Sequence, residues 1–128
     1  MNTPTELRYT PSHQWARLEA DGSVAVGITD YAQQSLGDLM FVENPAVGRK
    51  LSADEECAIV ESAKTASDVF SPIAGLVIAT NTAVEKTPEL INKDAYGAWM
   101  FKIKPDDAAA LNSLMDAAAY QALVEIEA

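Results

Sequence analysis

The stretch Glu61-Ser62-Ala63-Lys64-Thr65-Ala66-Ser67-Asp68 places one lysine among small residues, with an acid at each end. An apolar, strand-like run lies on either side of it. A short polar segment between two such runs is typical of a tight turn. The sequence therefore predicts a β-hairpin with arms at residues 56–60 and 68–70 and with the amine of Lys64 displayed at its tip.

Two interpretations of Lys64 follow from the residues alone. Most lysines are solvated surface charges, and most polar segments between strands are only turns. An amine on a rigid turn is also suited to enzymatic modification, because the small neighbours Ala63, Thr65 and Ala66 leave clearance for an enzyme around it.

The rest of the chain predicts a protein built mainly from short strands. Asp21-Gly22 is a strong hairpin signal between the first two of them. Glycine and proline separate many of the others, as in a sandwich or a flattened barrel. Strands are expected at residues 15–18, 23–28, 39–42, 76–79 and 99–104, in addition to the two arms of the hairpin.

Helices are expected between two early strands and at the C-terminal end. Thr29 or Asp30 can cap a short helix that runs through Leu36, and Gly37 fits its C-terminal end. The other expectations are a loop over 81–88, a short turn at 89–91, a helix over 108–114 capped by Asp106 or Asp107, and a helix over 117–124.

Length and charge restrict the classes of function. With 128 residues, 48% of them apolar, the chain is predicted to form a single domain over 1–128. A net charge of −10 repels phosphate backbones, so no nucleic-acid partner is expected. The charge suits partners with basic patches, although an acidic surface also serves solubility alone. Residues 51–70 contain five acids and one base, which favours docking near the hairpin.

The sequence has a single cysteine and a single histidine, which limits the other kinds of functional site that it can form. Cys57 lies in an apolar run and is expected to be a small buried hydrophobe. His13 and Trp15 are each expected to have a packing role, and neither is expected to be catalytic. No metal site is expected, because zinc-type sites need three or four such ligands.

No apolar run approaches the ~20 residues that cross a bilayer, so no membrane role is expected. The N-terminal residues lack a basic segment followed by an apolar one. A cytoplasmic location, in a bacterium, is therefore the expectation.

Several long segments resemble one family, in the order in which that family has them. The hairpin segment VESAKTASDVFSPIAGLV (60–77) is similar to the lipoyl-attachment hairpin of the glycine cleavage system H proteins. The segment YTPSHQWARLEADGSVAVGITDYAQQSLGDLMFVENPAVG (9–48) resembles the N-terminal half of that family. The C-terminal half is matched by VEKTPELINKDAYGAWMFKIKP (84–105) and LMDAAAYQAL (114–123). Together the segments cover nearly the whole chain.

This resemblance implies a fold and a function. The fold would be a lipoyl/biotinyl-domain-like flattened barrel-sandwich hybrid, mainly β, with C-terminal helices. Lys64 would carry lipoate as a covalent lipoyl-lysine, attached by a lipoyl ligase or an octanoyltransferase. Glu61 and Asp68 would help that enzyme to recognise the hairpin, although both also fit ordinary solvated acids.

The implied role is that of a non-catalytic carrier. It would take an aminomethyl group from a pyridoxal-phosphate glycine decarboxylase to a folate-dependent aminomethyltransferase. It would then present the dithiol to dihydrolipoyl dehydrogenase. A monomer is expected.

The resemblance also implies a cleft, formed by Ser12, Gln14 and Asp68, that protects the loaded arm from water. The family commonly has His-Glu-Trp where this chain has His13-Gln14-Trp15. Gln14 carries no charge, so Asp68 is expected to hold an ammonium group in the cleft alone. The run before Trp99 is one residue shorter than usual.

Alternatives remain open at this point. A biotinyl carrier would have methionines beside the lysine, whereas Lys64 lies between Ala63 and Thr65. A lipoyl domain of a 2-oxo-acid dehydrogenase would belong to a long chain with flexible linkers. The glycine cleavage carrier is the leading interpretation, and a lipoyl-relay donor or scaffold for other lipoyl-dependent complexes is also compatible with the sequence. So is an unmodified structural domain.

Overall fold

Short antiparallel strands and a few helices make up the structure, a computed structural model that describes residues 2–127. The strands are β1 Arg8–Tyr9, β2 Gln14–Leu18, β3 Val24–Ile28, β4 Leu39–Glu43, β5 Lys50–Leu51, β6 Glu56–Ser62, β7 Ala66–Phe70, β8 Gly75–Thr80 and β9 Phe101–Pro105. The helices are α1 Asp30–Leu36, α2 Thr82–Lys86, α3 Glu89–Lys93, a 3-10 helix Ala108–Ser113 and α4 Ala117–Glu127.

The strands form two separate sheets. The larger sheet has the order β1-β2-β3-β9-β8-β5, and the smaller one has the order β4-β6-β7. All neighbouring strands pair antiparallel. The expected mainly β fold with added helices is confirmed, and the two sheets are not closed into a barrel. The two arms of the Lys64 hairpin, β6 and β7, belong to the smaller sheet.

The main core unites the inward faces of both sheets. Val26 and Ile103 of the larger sheet share one buried cluster with Val42, Val60 and Val69 of the smaller sheet. Full burial of one such side chain contributes about 1.5–3 kcal/mol to folding. This layer anchors β6 and β7, and it gives the hairpin between them a rigid base.

A second buried cluster lies under α4. It combines Tyr9 and Trp15, from β1 and β2, with Tyr120 and Val124 of α4. The rings of Tyr9 and Tyr120 stack with centroids 4.7 Å apart. Because successive strand residues face opposite sides, this cluster covers the other face of the larger sheet.

The predicted capping signals are confirmed for two helices. Thr29 caps α1 by accepting a hydrogen bond from the Ala32 N–H at 3.2 Å, and Asp107 caps the 3-10 helix. The expected loop over 81–88 was wrong, because residues 82–86 form α2. Asn81 caps α2 by accepting a hydrogen bond from the Ala83 N–H at 3.1 Å.

The structure also differs from the predicted elements in the start of one strand, in the type of one helix and in two very short strands. The strand expected at 99–104 begins only at Phe101, because Met100 and Phe101 are both fully buried and break the alternation. The helix expected over 108–114 is a 3-10 helix. Strands β1 and β5 have two residues each, which is too short for any period to show.

Candidate functional site

Lys64 lies at the tip of the hairpin between β6 and β7. The Ser62 N–H donates to the Thr65 carbonyl at 2.8 Å, so only Ala63 and Lys64 lie between the bonded residues. Ser62 Oγ accepts hydrogen bonds from the backbone N–H of Lys64 at 3.2 Å and of Thr65 at 3.3 Å. These bonds hold the turn, while the Lys64 side chain is exposed. The predicted hairpin is confirmed.

The surroundings of Lys64 are small and open. Ala63, Thr65 and Ala66 are all exposed. Gly37, which follows α1, lies beside the amine: a Cβ at position 37 would be 3.8 Å from Lys64 Nζ. Nothing bulky at these positions blocks the approach of an enzyme to the amine.

An acidic face surrounds the base of the hairpin. Glu61 pairs across the sheet with Phe41, and Asp68 pairs with Ile59, so all four belong to the outward face of the smaller sheet. Glu61 and Asp68 are exposed. Phe41 is 44% exposed and the neighbouring Met40 is 67% exposed. The face therefore offers negative charge together with apolar surface close to Lys64.

Glu56 pairs with Phe70 across β6 and β7, and Asp68 precedes Phe70 by two residues. A hydrogen bond to Asp68, followed by repulsion from the charge on Asp68, raises the pKa of Glu56 above its usual range. The neighbouring charge therefore disfavours ionisation of Glu56. The exposed carboxylate of Asp68 is suited to receiving a cation such as an ammonium group.

Glu56→Gln should change how stability depends on pH. Because the pKa of Glu56 is higher in the folded state, its contribution to stability is fully present below about 4.5 and is lost as pH rises through the raised value. Relative to the unmodified sequence, the Glu56→Gln variant should therefore gain stability between pH 4 and pH 7. Urea unfolding at several pH values measures this, with the exposed Glu125→Gln as the control. Parallel pH profiles for the Glu56→Gln variant and the parent would contradict this effect of Asp68 on Glu56.

Ser12 lies in the turn between β1 and β2, and Gln14 is the first residue of β2, beside that turn. Gln14 is only 1% exposed. Its Oε1 accepts hydrogen bonds from Thr10 Oγ1 at 2.7 Å and from Ser12 Oγ at 2.6 Å, and its Nε2 donates to the Ser12 carbonyl at 3.0 Å. All polar side-chain atoms of Gln14 are thus engaged within the turn, while Ser12 itself is exposed.

Asp68 belongs to the smaller sheet, whereas this turn leads into the larger one. Within residues 2–127, no hydrogen bond joins Asp68 to Ser12 or Gln14. Asp68 follows Lys64 by four residues, which is about 13 Å of extended strand. The structure therefore places Glu61 and Asp68 on the Lys64 hairpin and keeps Ser12 and Gln14 as a separate pair.

Sequence reasoning missed a group of hydrogen-bonded side chains beside that turn. Tyr120 Oη lies 2.6 Å from Thr29 Oγ1 and 2.8 Å from His13 Nδ1, and His13 Nε2 lies 3.1 Å from Glu127 Oε1. The His13 ring also packs against Tyr31 at 4.9 Å, as its expected packing role requires. The bonded residues are 91 to 114 positions apart, so no local signal could have revealed the group.

Cys57 is buried, as expected. Its Sγ lies 3.5 Å from the Val69 carbonyl, and burial raises the pKa of the thiol to about 12. Within residues 2–127, no three His, Cys, Asp or Glu side chains are grouped so as to hold a metal ion. In the same part of the chain, the helices are too short or too polar to cross a membrane.

Known proteins match this chain along nearly its full length. A family model described as Glycine cleavage H-protein matches residues 7–127. A glycine cleavage system H protein of Thiobacillus denitrificans is 62% identical over 128 residues, which are 100% of this chain and 99% of that protein. The glycine cleavage system H protein 2 of Pseudomonas aeruginosa is 57% identical over 126 residues, or 98% of each chain.

A solved structure agrees with these sequence matches. The crystal structure of a glycine cleavage system H protein from Mycobacterium marinum has a TM-score of 0.88 to this chain at 39% identity. It covers 95% of this chain and 98% of its own. The chain belongs to the glycine cleavage H-protein family, the lipoyl carriers of the glycine cleavage system, and is a carrier subunit and not a catalyst.

Proposed function

We propose that Lys64 is the residue to which lipoate is attached and that the protein shuttles an aminomethyl group between enzymes of the glycine cleavage system. The observation that carries this proposal is the exposed amine of Lys64 on a two-residue turn between β6 and β7. No other lysine of the described chain lies at the tip of a hairpin of two paired strands.

The residues around Lys64 fit an attached acyl arm. The hydrogen bonds that Ser62 Oγ accepts hold the backbone of the turn. The open surface at Ala63 and Thr65 leaves room for the attaching enzyme. When bound, lipoate would supply the dithiolane that accepts the aminomethyl group. After that group has been transferred to the next enzyme, the two sulfurs would remain as a dithiol. The rigid base and the flexible lysine stem keep this cargo at a high effective concentration near each partner.

The acidic face is suited to docking partners. Glu61 and Asp68 flank the turn and would mark it for a lipoyl ligase or an octanoyltransferase. The same face, with Phe41 exposed on it, would receive basic surfaces of the glycine decarboxylase, the aminomethyltransferase and dihydrolipoyl dehydrogenase. These encounters would take place in the bacterial cytoplasm, with the carrier as a monomer.

Retention of the cargo would depend on Ser12, Gln14 and Asp68. Asp68 lies within about 13 Å of Lys64 along the strand, so an extended arm can turn back towards it. The exposed carboxylate of Asp68 would then receive the ammonium of the aminomethyl group. Exclusion of water from this cleft would delay the release of ammonia.

Gln14→Glu should slow the loss of ammonia from the aminomethyl-loaded carrier. The Thr10 and Ser12 hydroxyls can still donate to the new carboxylate, while the oxygen that replaces Nε2 loses the hydrogen bond to the Ser12 carbonyl. The added negative charge favours a nearby cation. We expect the release rate to fall about tenfold, as for one added charge-assisted hydrogen bond at the low end of its range. Ammonia release measured in the absence of the transferase tests this, with Gln34→Glu on the exposed side of α1 as the control. An unchanged or faster release would contradict the role of Gln14.

Reconstitution with the partner enzymes tests the proposed function. The lipoylated carrier should support glycine-dependent reduction of NAD by the decarboxylase, the aminomethyltransferase and the dehydrogenase. The same protein without lipoate should support none. Transfer of its lipoyl group to another apo-protein, without any glycine-dependent turnover, would instead favour the relay role.

A further inference from the structure

A chain of hydrogen bonds joins three segments that are far apart in sequence: the β1–β2 turn, the start of α1, and α4. Thr29 Oγ1 accepts from the Ala32 N–H at 3.2 Å and lies 2.6 Å from Tyr120 Oη, in a buried contact. Tyr120 Oη lies 2.8 Å from His13 Nδ1. His13 Nε2 lies 3.1 Å from the carboxylate of Glu127.

The donors and acceptors fix a direction along this chain. The Glu127 carboxylate can only accept, so His13 Nε2 carries a proton, and in the uncharged ring Nδ1 is left as an acceptor. The single hydroxyl proton of Tyr120 then goes to His13 Nδ1. Burial raises the pKa of Tyr120, so the hydroxyl keeps its proton. When His13 is uncharged, its own proton therefore lies on Nε2 and faces Glu127.

His13 also has an unusual backbone conformation. Its φ is +73°, in the left-handed region that few residues other than glycine adopt. Its N–H donates to the Thr10 carbonyl at 3.0 Å, and its carbonyl accepts from the Thr29 N–H at 3.0 Å. The contacts of its ring with Tyr120, Glu127 and Tyr31 offset the cost of this conformation.

The contacts of the His13 ring also affect the residues on either side of it. It lies between Ser12 and Gln14, and the hydrogen bonds within their turn depend on its backbone conformation. We infer that Tyr120 and Glu127 of α4, acting through His13, hold the turn of Ser12 and Gln14 in the conformation that retention of the loaded arm requires. Tyr120 is thus a positioning residue for retention of the cargo. This inference rests on the proposed function, and in particular on the cleft that protects the arm.

Tyr120→Phe in the full-length lipoylated carrier tests the inference. Phenylalanine keeps the ring that stacks on Tyr9 and removes only the hydroxyl. We expect Lys64 to be lipoylated to the same extent and ammonia to leave the aminomethyl-loaded carrier about fivefold faster, as for one lost hydrogen bond. The exposed Glu125→Gln on the same helix should leave the release rate unchanged.

A spectroscopic readout accompanies the rate. His13 is the only histidine in the chain, so its imidazole ¹⁵N shifts are unambiguous. The parent protein should show the Nε2–H tautomer, and Tyr120→Phe should shift the Nδ1 resonance, because Nδ1 loses its hydrogen-bond donor while Glu127 still faces Nε2. An Nδ1–H tautomer in the parent would overturn the inference, as would shifts that Tyr120→Phe leaves unchanged.

A second variant guards against a failure to fold. His13→Asn retains a residue that tolerates the left-handed conformation and removes the imidazole. It should accelerate ammonia release as Tyr120→Phe does. Release at the parent rate in every folded variant would overturn the inference while leaving the proposed function intact. A parent protein that is never lipoylated at Lys64 would instead overturn the proposed function.

Discussion

Lys64→Arg should abolish lipoylation and reduce glycine-dependent turnover to background. Arginine keeps the positive charge and a long stem, but its guanidinium is not a target for the acylation that an amine undergoes. Because the side chain is exposed, the free energy of unfolding should change by no more than about 0.5 kcal/mol. Intact mass and turnover in the reconstituted system measure the two effects.

Lys93→Arg is the matched control for this change. Lys93 is exposed at the end of α3, away from any hairpin tip. It should remain without an acyl group and should leave turnover at the parent level. Full turnover by Lys64→Arg, or its loss in Lys93→Arg, would contradict the assignment of Lys64.

Gly27→Ala should destabilise the fold by about 2–3 kcal/mol, as overpacking of a close-packed core does. Gly27 pairs with Trp15 across β2 and β3, and a Cβ at position 27 would lie 2.7 Å from three atoms of the indole. The indole cannot move aside, because it is fully buried and its Nε1–H donates to the Ala95 carbonyl at 3.0 Å. Urea unfolding measures the loss.

A double-mutant cycle separates this steric effect from a general effect of position 27. In a Trp15→Phe background the smaller ring leaves space, so Gly27→Ala should cost clearly less than in the parent. An equal cost in both backgrounds would show that the indole is not the obstacle. A cost in the parent below about 0.5 kcal/mol would contradict the packing itself.

The hairpin and the cap of α1 could be predicted because their signals are local. A small, polar run between apolar segments marks the Lys64 turn, and Thr29 lies directly before α1. Helix α2 was missed although Asn81 is a good cap, since the polar run that ends at Pro88 resembles a loop. The short strands β1 and β5 depend on partners elsewhere in the chain, such as the pairing of Tyr9 with Trp15.

Some residues of the candidate site could likewise be predicted from local signals, and others are brought together only by the fold. Lys64, Glu61 and Asp68 could be named because they lie within one hairpin. The effect of Asp68 on Glu56 could not be predicted. Strand β6 has an irregularity between Glu56 and Ala58 that no sequence pattern marks. The contacts of Tyr120 with His13 and Thr29 arise only when α4 packs on the larger sheet.

Mass spectrometry of proteolytic peptides from protein made in a lipoate-competent host tests the central claim most directly. We expect one lipoyl group, on the peptide that contains Lys64, and none on the other lysines. Biotin at Lys64, a lipoyl group on another lysine, or an unmodified Lys64 in cells whose other lipoyl proteins are fully modified would contradict it.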